Sequence, residues 1–385
     1  MNKIKLKFWH VLFFLGIASS LLLTSCGAAT GLAGAAGVSP LDSNTNANKK
    51  KPTDSGPTPT PPPPATGHIV FVSAQSGKKK LYLMNADGSD IRQLTTGDSE
   101  EESPQWSPDG RLIAYASTIN HNTDIYVIDP ATNVARRITT DPGRDSSPTW
   151  SPDGRQIAFE SFQTGTLQIY VVNLDGSGLT RLTDDPAGDT NPVWSPVGNS
   201  IAFMSSRESV NSALYLISSD GSGLMRLTNE APPDSDPAWS PDGSLIAFRS
   251  FTSPSIANIC AVNRDGSNFH CLTNSQWING VPAWSPDGTQ IAVRSDRGGI
   301  SGIDLIGVKD STLKSLAVNL NIKGDPIWSP DGTRLVFEAC PVSNQNQACA
   351  DGTGMELYEM VLSTREVDQL TNTSSYNGQP DWTAH

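Results

Sequence analysis

The sequence predicts an all-β fold, a seven-bladed β-propeller of four-stranded antiparallel blades, and three observations carry that prediction. One is the pentapeptide Trp-Ser-Pro-Asp-Gly, whole or nearly whole at Trp106, Trp150, Trp194, Trp239, Trp284 and Trp328. Another is its period: successive Trp spacings are 44, 44, 45, 45, 44 and, to Trp382, 54 residues, which marks an array of supersecondary units. The third is asymmetry at the ends. The C-terminal copy, Gln379-Pro380-Asp381-Trp382, stops before the turn, and the first unit lacks an opening Pro-x-Trp. The last strand is therefore expected to complete the first blade.

Composition agrees with a turn-rich β protein: 37% of the 385 residues are apolar, 17% are charged, and Gly and Pro number 33 and 28. The formal net charge is −12. Removing a leader that holds Lys3, Lys5 and Lys7 leaves 24 basic and 39 acidic residues, or −15. Such a chain repels phosphate backbones and anionic lipid, so nucleic-acid binding is disfavoured.

Taken in order, the chain opens with those lysines, an apolar run from Phe8 to Leu23, and Leu23-Thr24-Ser25-Cys26. This layout is that of an export signal and resembles a bacterial lipoprotein signal. The resemblance implies a signal peptide over 1–25 and a lipid on Cys26. Residues 26–66 are rich in Ala, Gly, Ser and Asn and then Pro, ending in Pro57-Thr58-Pro59-Thr60-Pro61-Pro62-Pro63-Pro64. They are expected to be a disordered tether, stiff in its proline section.

Residues 67–385 carry the repeat. In the third unit the strand signals are Pro148 to Trp150, Gln156 to Ser161, Gln168 to Asn173 and Leu179 to Thr183. In Trp150-Ser151-Pro152-Asp153-Gly154, Pro152 pre-sets φ and Gly154 supplies the left-handed position that closes a hairpin. One copy departs, with Val197 in place of Asp. Asp-Gly pairs at Asp87, Asp175, Asp220 and Asp265 read as hairpin turns, because they lack the further ligands of a calcium loop.

The repeated Pro-x-Trp-Ser-Pro-Asp-Gly-x-x-Ile-Ala-Phe, followed by Ile-Tyr-x-x-Asn-x-Asp-Gly and Arg-Leu-Thr, is similar to the propeller repeat of the TolB family. The resemblance runs from about Gly67 to the end. It implies the propeller fold, a bacterial envelope location, and a channel mouth that receives an extended segment of a partner protein. TolB itself has an α/β domain before six blades, so this chain is TolB-like.

Four cysteines remain beside Cys26, as expected for disulfides in an exported protein. Cys260 and Cys271 would face each other if the turn at Asp265-Gly266 is two residues long, and Cys340 and Cys349 enclose an insertion in the last full unit, so of the three possible connectivities 260 with 271 and 340 with 349 is expected. His68, His121, His270 and His385 fall in different units and form no metal cluster, and no Gly-x-Ser-x-Gly is present. No cofactor or metal is expected. Five residues before each Trp stand Glu101, Asp145, Asp189, Asp234, Asn279, Lys323 and Asn377. Three before it stand Ser103, Ser147, Asn191, Asp236, Val281, Asp325 and Gln379. Both sets are expected to ring one mouth of the channel, where Glu101, Asp145, Asp189 and Asp234 would favour a cation or a basic peptide. The reading is a lipid-anchored, monomeric, extracytoplasmic module that binds a protein, peptide or envelope component. A propeller enzyme acting on a glycan or peptide through loop residues is the alternative.

Overall fold

The computed structural model describes residues 64–384, except 230, 231, 298, 299, 317, 319, 342–348 and 350–353. The leader, Cys26 and the tether before residue 64 lie outside the described residues. The described chain is strands and turns arranged as seven blades, as the repeat predicts. Blade three is representative: Asp145–Trp150 is innermost, followed outward by Gln156–Ser161, Gln168–Asn173 and Thr180–Arg181. Second and third strands are buried on both faces, with Ile157, Phe159, Ile169 and Val171 at 0–2% exposure, so apolar residues run on where a one-faced sheet would alternate.

Blade one takes its inner strand from the C-terminus. Asn377–Thr383 pairs antiparallel with His68–Ser73, aligning Trp382 with Ile69, and Lys80–Asn85 and Arg92–Gln93 complete the sheet. In blades six and seven the inner strand is broken, into Ile278–Asn279 with Ala283–Trp284 and into Leu320–Ile322 with Ile327–Trp328. Ala257 also pairs with Ile278 in parallel, joining the sheets of blades five and six.

The motif residues are structural. Ser151 Oγ donates to Asp153 Oδ1 at 2.7 Å and accepts from the backbone N–H groups of Arg155 and Gln156, locking the turn. In the Val197 copy, Ser195 Oγ accepts only from Val197 N–H, at 3.3 Å, while Val197 packs against Gly243 of the next turn. The Trp rings lie between blades: the Trp150, Trp239, Trp284 and Trp328 indoles donate to Gln105, Val193, Ala238 and Ala283 carbonyls of the preceding blade.

Outer strands are shorter than the sequence suggests, Thr180–Arg181 where Leu179 to Thr183 was expected. The cause is the Thr of Arg-Leu-Thr: Thr183 Oγ1, rather than a backbone carbonyl, accepts the Ile169 N–H at 3.0 Å. Thr95, Thr139, Thr228, Thr273 and Thr371 do the same in their blades. The Asp-Gly turns are hairpin turns, in which Asp175 Oδ1 accepts from the Ser177 N–H and hydroxyl. Those bonds, the hydroxyl first, hold the Asp175 carboxyl below its usual range.

Candidate functional site

The seven inner strands surround a central lumen. Two residues before each Trp is a proline, and the strand register slips there by a bulge in blades one to five. The residue before that proline takes a positive φ: 53° at Ser103, 54° at Ser147, 51° at Asn191, 55° at Asp236 and 51° at Gln379. A non-glycine residue there is uncommon, and its repetition at one position in five blades marks a local geometry imposed by the fold. The bulge turns these residues toward the axis. Ser103, Ser147, Asn191 and Asp236, with Val281, line a cavity of about 410 Å³, whose wall also includes Gln105, Thr149 and Asp381.

The positions five before Trp are elsewhere, which corrects the expectation that both sets ring the mouth. Glu101, Asp145, Asp189 and Asp234 are 0–2% exposed, and Asn279 and Asn377 are 0% exposed. They occupy seams between neighbouring blades and anchor the strand start. Glu101 pairs with Lys80 at 3.4 Å, Asp189 holds Arg207 through both oxygens at 2.8 and 2.9 Å, and Asn279 Nδ2 donates to Ala257 O and Ser275 Oγ. Asn377 Nδ2 donates to Glu356 and Thr373 in the same way. Burial raises the Asp145 carboxyl to about 7; Ser161 and Thr139 oppose the shift, and the charges of Asp141 and Asp124 add to it. Asp234 is raised by burial to about 6. Of the residues expected at the mouth, Asp236 does face the lumen, paired with Arg249 at 3.0 Å.

A second ring, on the second strands, was not recognised in the sequence. It comprises Val72, Ala116, Glu160, Met204, Arg249, Arg294 and Glu338, each across from the start of an inner strand. Its signal was present as the one hypervariable place inside an Ile-Ala-Phe-x-Ser frame. Glu160 accepts from the Asn191 N–H at 2.9 Å, Glu338 from the Gln379 N–H at 2.7 Å, and Arg294 lies 3.8 Å from Asp325. Glycines make room: a Cβ on Gly280 would stand 1.9 Å from Asp325 Oδ1, and one on Gly324 2.5 Å from Glu338. Burial raises the Asp325 and Glu338 carboxyls; Arg294 opposes the first shift, and the Gln379 N–H opposes the second. Asp381, also raised by burial to about 6, accepts the Trp106 N–H at 2.7 Å.

The structure joins Cys260 to Cys271 and Cys340 to Cys349. Among the described residues, no three of His, Cys, Asp and Glu are grouped so as to hold a metal ion. A cleft of about 710 Å³ is away from the lumen, between blades one and two. Equivalent clefts at later turns measure about 330 and 380 Å³. The difference arises where blade one has two separate chain segments instead of a Ser-Pro-Asp-Gly turn.

A closed ring of seven four-stranded blades around a lumen defines a β-propeller. The chain belongs to the TolB beta propeller domain family, which matches residues 45–142, 65–276 and 213–385. It is 46% identical over 48 residues to the Tol-Pal system protein TolB of Geobacter sulfurreducens, a stretch covering 12% of this chain and 11% of that protein. Its fold is similar to that of TolB from Acinetobacter baumannii, with a TM-score of 0.53 and 23% identity over 64% of this chain and 62% of that one. It is also similar to an oligogalacturonate lyase in complex with manganese, with TM-score 0.60, 17% identity and coverage of 71% and 82%. A puromycin-hydrolyzing peptidase of Mycobacterium tuberculosis gives 0.62 at 15% identity, covering 78% of this chain and 50% of that one. These likenesses, below 25% identity, concern the fold.

Proposed function

We propose that this protein is an extracytoplasmic binding module that receives a segment of a partner protein, peptide or envelope component in its lumen. One observation carries the reading. The residues that build the turns repeat from blade to blade, whereas the lumen-lining residues Ser103, Ser147, Asn191, Asp236 and Val281 differ in size and charge. A scaffold held constant beneath a lining that varies is how a repeat fold acquires recognition. The TolB resemblance and the two disulfides support an envelope setting, in which Cys26 bears the lipid and residues 26–66 hold the propeller off the membrane. The experiment is photocrosslinking in the native envelope from a benzophenone side chain at Asn191, with one at the outer-rim Val134 as control. A defined adduct is expected from the lumen alone and is lost on Asp236→Ala, and Cys26→Ala moves the protein to the soluble fraction. Equal crosslinking from both positions would overturn the lumen reading.

A further inference from the structure

Where two blades meet, the Ser-Pro-Asp-Gly turn of one rests on the turn of the next. A Cβ on Gly154, Gly288 or Gly332 would stand 3.9, 3.6 or 3.6 Å, respectively, from Cδ of Pro108, Pro241 or Pro286 in the preceding turn. The clefts left beside Trp284 and Trp328 are accordingly walled by Ser240-Pro241-Asp242 and by Ser285-Pro286-Asp287. Ahead of Trp106 there is no such turn, because blade one is built from two chain segments that pair at His68 and Thr383. The cleft there is about 710 Å³, against about 380 and 330 Å³ at the other two. It keeps the receiving half of a junction, Trp106, Asp109 and Gly110, and lacks the half that covers it.

The lining also differs in charge. Each of the three clefts holds two acids, Asp242 with Asp287, Asp287 with Asp331, and Asp109 with Asp129, and of the three only the one between blades one and two adds basic residues, His68, Arg92 and Arg111. Its two acids each spend an oxygen on their own turn: Asp109 accepts from Ser107 Oγ and the Arg111 N–H, and Asp129 accepts from the Ala131 N–H. Arg92 donates to Pro130 O and Asn133 Oδ1. Arg111 is exposed and lies 3.8 Å from Asp109, a surface pair of little worth that an incoming carboxylate can share.

An occupant must therefore bring a proline to lie on the Gly110 turn and an acid to meet Arg111. We propose that the cleft is a docking site for an acidic proline turn, of the Pro-Asp-Gly kind, on a partner protein, which supplies the turn that blade one lacks. The site is separate from the lumen and does not depend on what the lumen holds. The chain's own proline stretch fits less well. Pro57 to Pro64 contains no acid, and the chain reaches blade one from the side of blade seven, where Ala65 packs on the cluster that includes Val336 and Leu357 and Thr66 O accepts the Trp382 indole N–H.

The test uses the mature chain labelled with ¹⁵N and, as probe, N-acetylated, C-amidated Ser-Pro-Asp-Gly. The probe should shift the backbone amides of Gly110 and Leu112 and leave that of Asn191 in place. Ser-Ala-Asp-Gly and Ser-Pro-Asn-Gly should each bind about fivefold more weakly, the scale of one small apolar contact or one surface charge pair. Arg111→Glu should weaken the probe about tenfold. Ala131→Trp, which fills the cleft from an exposed turn position, should abolish binding. So should a circular permutant in which Ser-Pro-Asp-Gly-Arg joins Trp382 to His68 and restores the turn within the chain. Far-UV spectra and a cooperative melt check that each variant folds. No shift at Gly110 and Leu112, shifts that survive Ala131→Trp, or equal binding of the Ala or Asn peptide would each overturn the proposal. Binding that appears only after Pro61 to Pro64 are exchanged for Ala would make the tether the occupant, and a sedimenting dimer disrupted by Ala131→Trp would make it a second copy; either overturns the partner turn. The lumen crosslink from Asn191 is unaffected by all of these results, so the two readings fail separately.

Discussion

Asp145 shows what a single seam residue contributes. It is 0% exposed, the charges of Asp141 and Asp124 act on it, and among the described residues no ion pair holds it, whereas Asp124 is paired with Arg137 at 2.7 Å. The corresponding residues in blades two and four, Glu101 and Asp189, have Lys80 and Arg207. Burial raises the Asp145 carboxyl to about 7, above the roughly 3.9 of an unfolded chain. For a carboxyl raised on folding, the favourable contribution is fully present below the unfolded value and is lost as pH rises through the folded one. The protein should therefore lose stability between about pH 4 and pH 8, and Asp234 and Asp381, both near 6, act in the same direction. Asp145→Asn should flatten that slope and make the protein more stable at pH 8, by an amount on the order of 1–3 kcal/mol. Urea unfolding at pH 5 and pH 8 measures it; an unchanged slope would show that Asp145 is not the group responsible.

At the scale of the element, blade five solves a recurring problem in its own way. In blades three and four a third-strand Tyr faces an outer-strand Arg, Tyr170 with Arg181 and Tyr215 with Arg226, and the Tyr ring packs on a second-strand Phe. Blade five puts Cys260 opposite Cys271 and fills the place of the Tyr ring with Phe269, 5.7 Å from Phe248. The disulfide thus does for a two-residue outer strand what a ring and a guanidinium do elsewhere. Replacing both cysteines with Ser should cost about 2–3 kcal/mol. Cys260→Tyr with Phe269→Leu and Cys271→Arg, which copies blades three and four, should recover at least half of that in guanidinium unfolding; a triple variant no better than the double Ser would refute the equivalence. The facing cysteines were legible because strand pairing around a short turn is arithmetic on residue numbers. The lumen was only half legible. Pro-x-Trp announced the inner strand, but the bulge that aims Ser147 and Asp236 inward and leaves Asp145 and Asp189 in the seams is a backbone event, and spacing alone does not say which of two nearby residues it turns. The capping ring was missed for the same reason: Ala116, Glu160 and Arg249 look like ordinary strand variation until register puts them across from the bulge.

For the whole molecule the decisive element is the closing strand, since a blade buries both faces only if the ring is complete. Asn377–Thr383 bonds both neighbours as well as its own blade. Asp381 accepts the Trp106 N–H and Gln379 Oε1 the Ser103 N–H of blade two, while the Gln379 N–H donates to Glu338 of blade seven. Trp382 packs among Ile69, Phe71, Val336 and Leu357, and its indole donates to Thr66 O at 3.0 Å. Removing Gln379 to His385 should therefore lower the melting temperature sharply and abolish a single cooperative transition, because Ile69 and Phe71 are left uncovered on the side that seals blade seven. Trp382→Ala alone should cost about 3–5 kcal/mol. A stricter test separates closure from the mere presence of the strand. Joining Trp382 to His68 through Ser-Pro-Asp-Gly-Arg would give blade one the turn that the other blades have, with new termini opened at Gly332. If pairing of the two chain segments is what closes the ring, this permutant should melt cooperatively at or above the parent temperature and should no longer depend on the residues before Gly67. Calorimetry of parent, truncation and permutant decides it: a truncation that melts like the parent would mean that blade one closes without its inner strand.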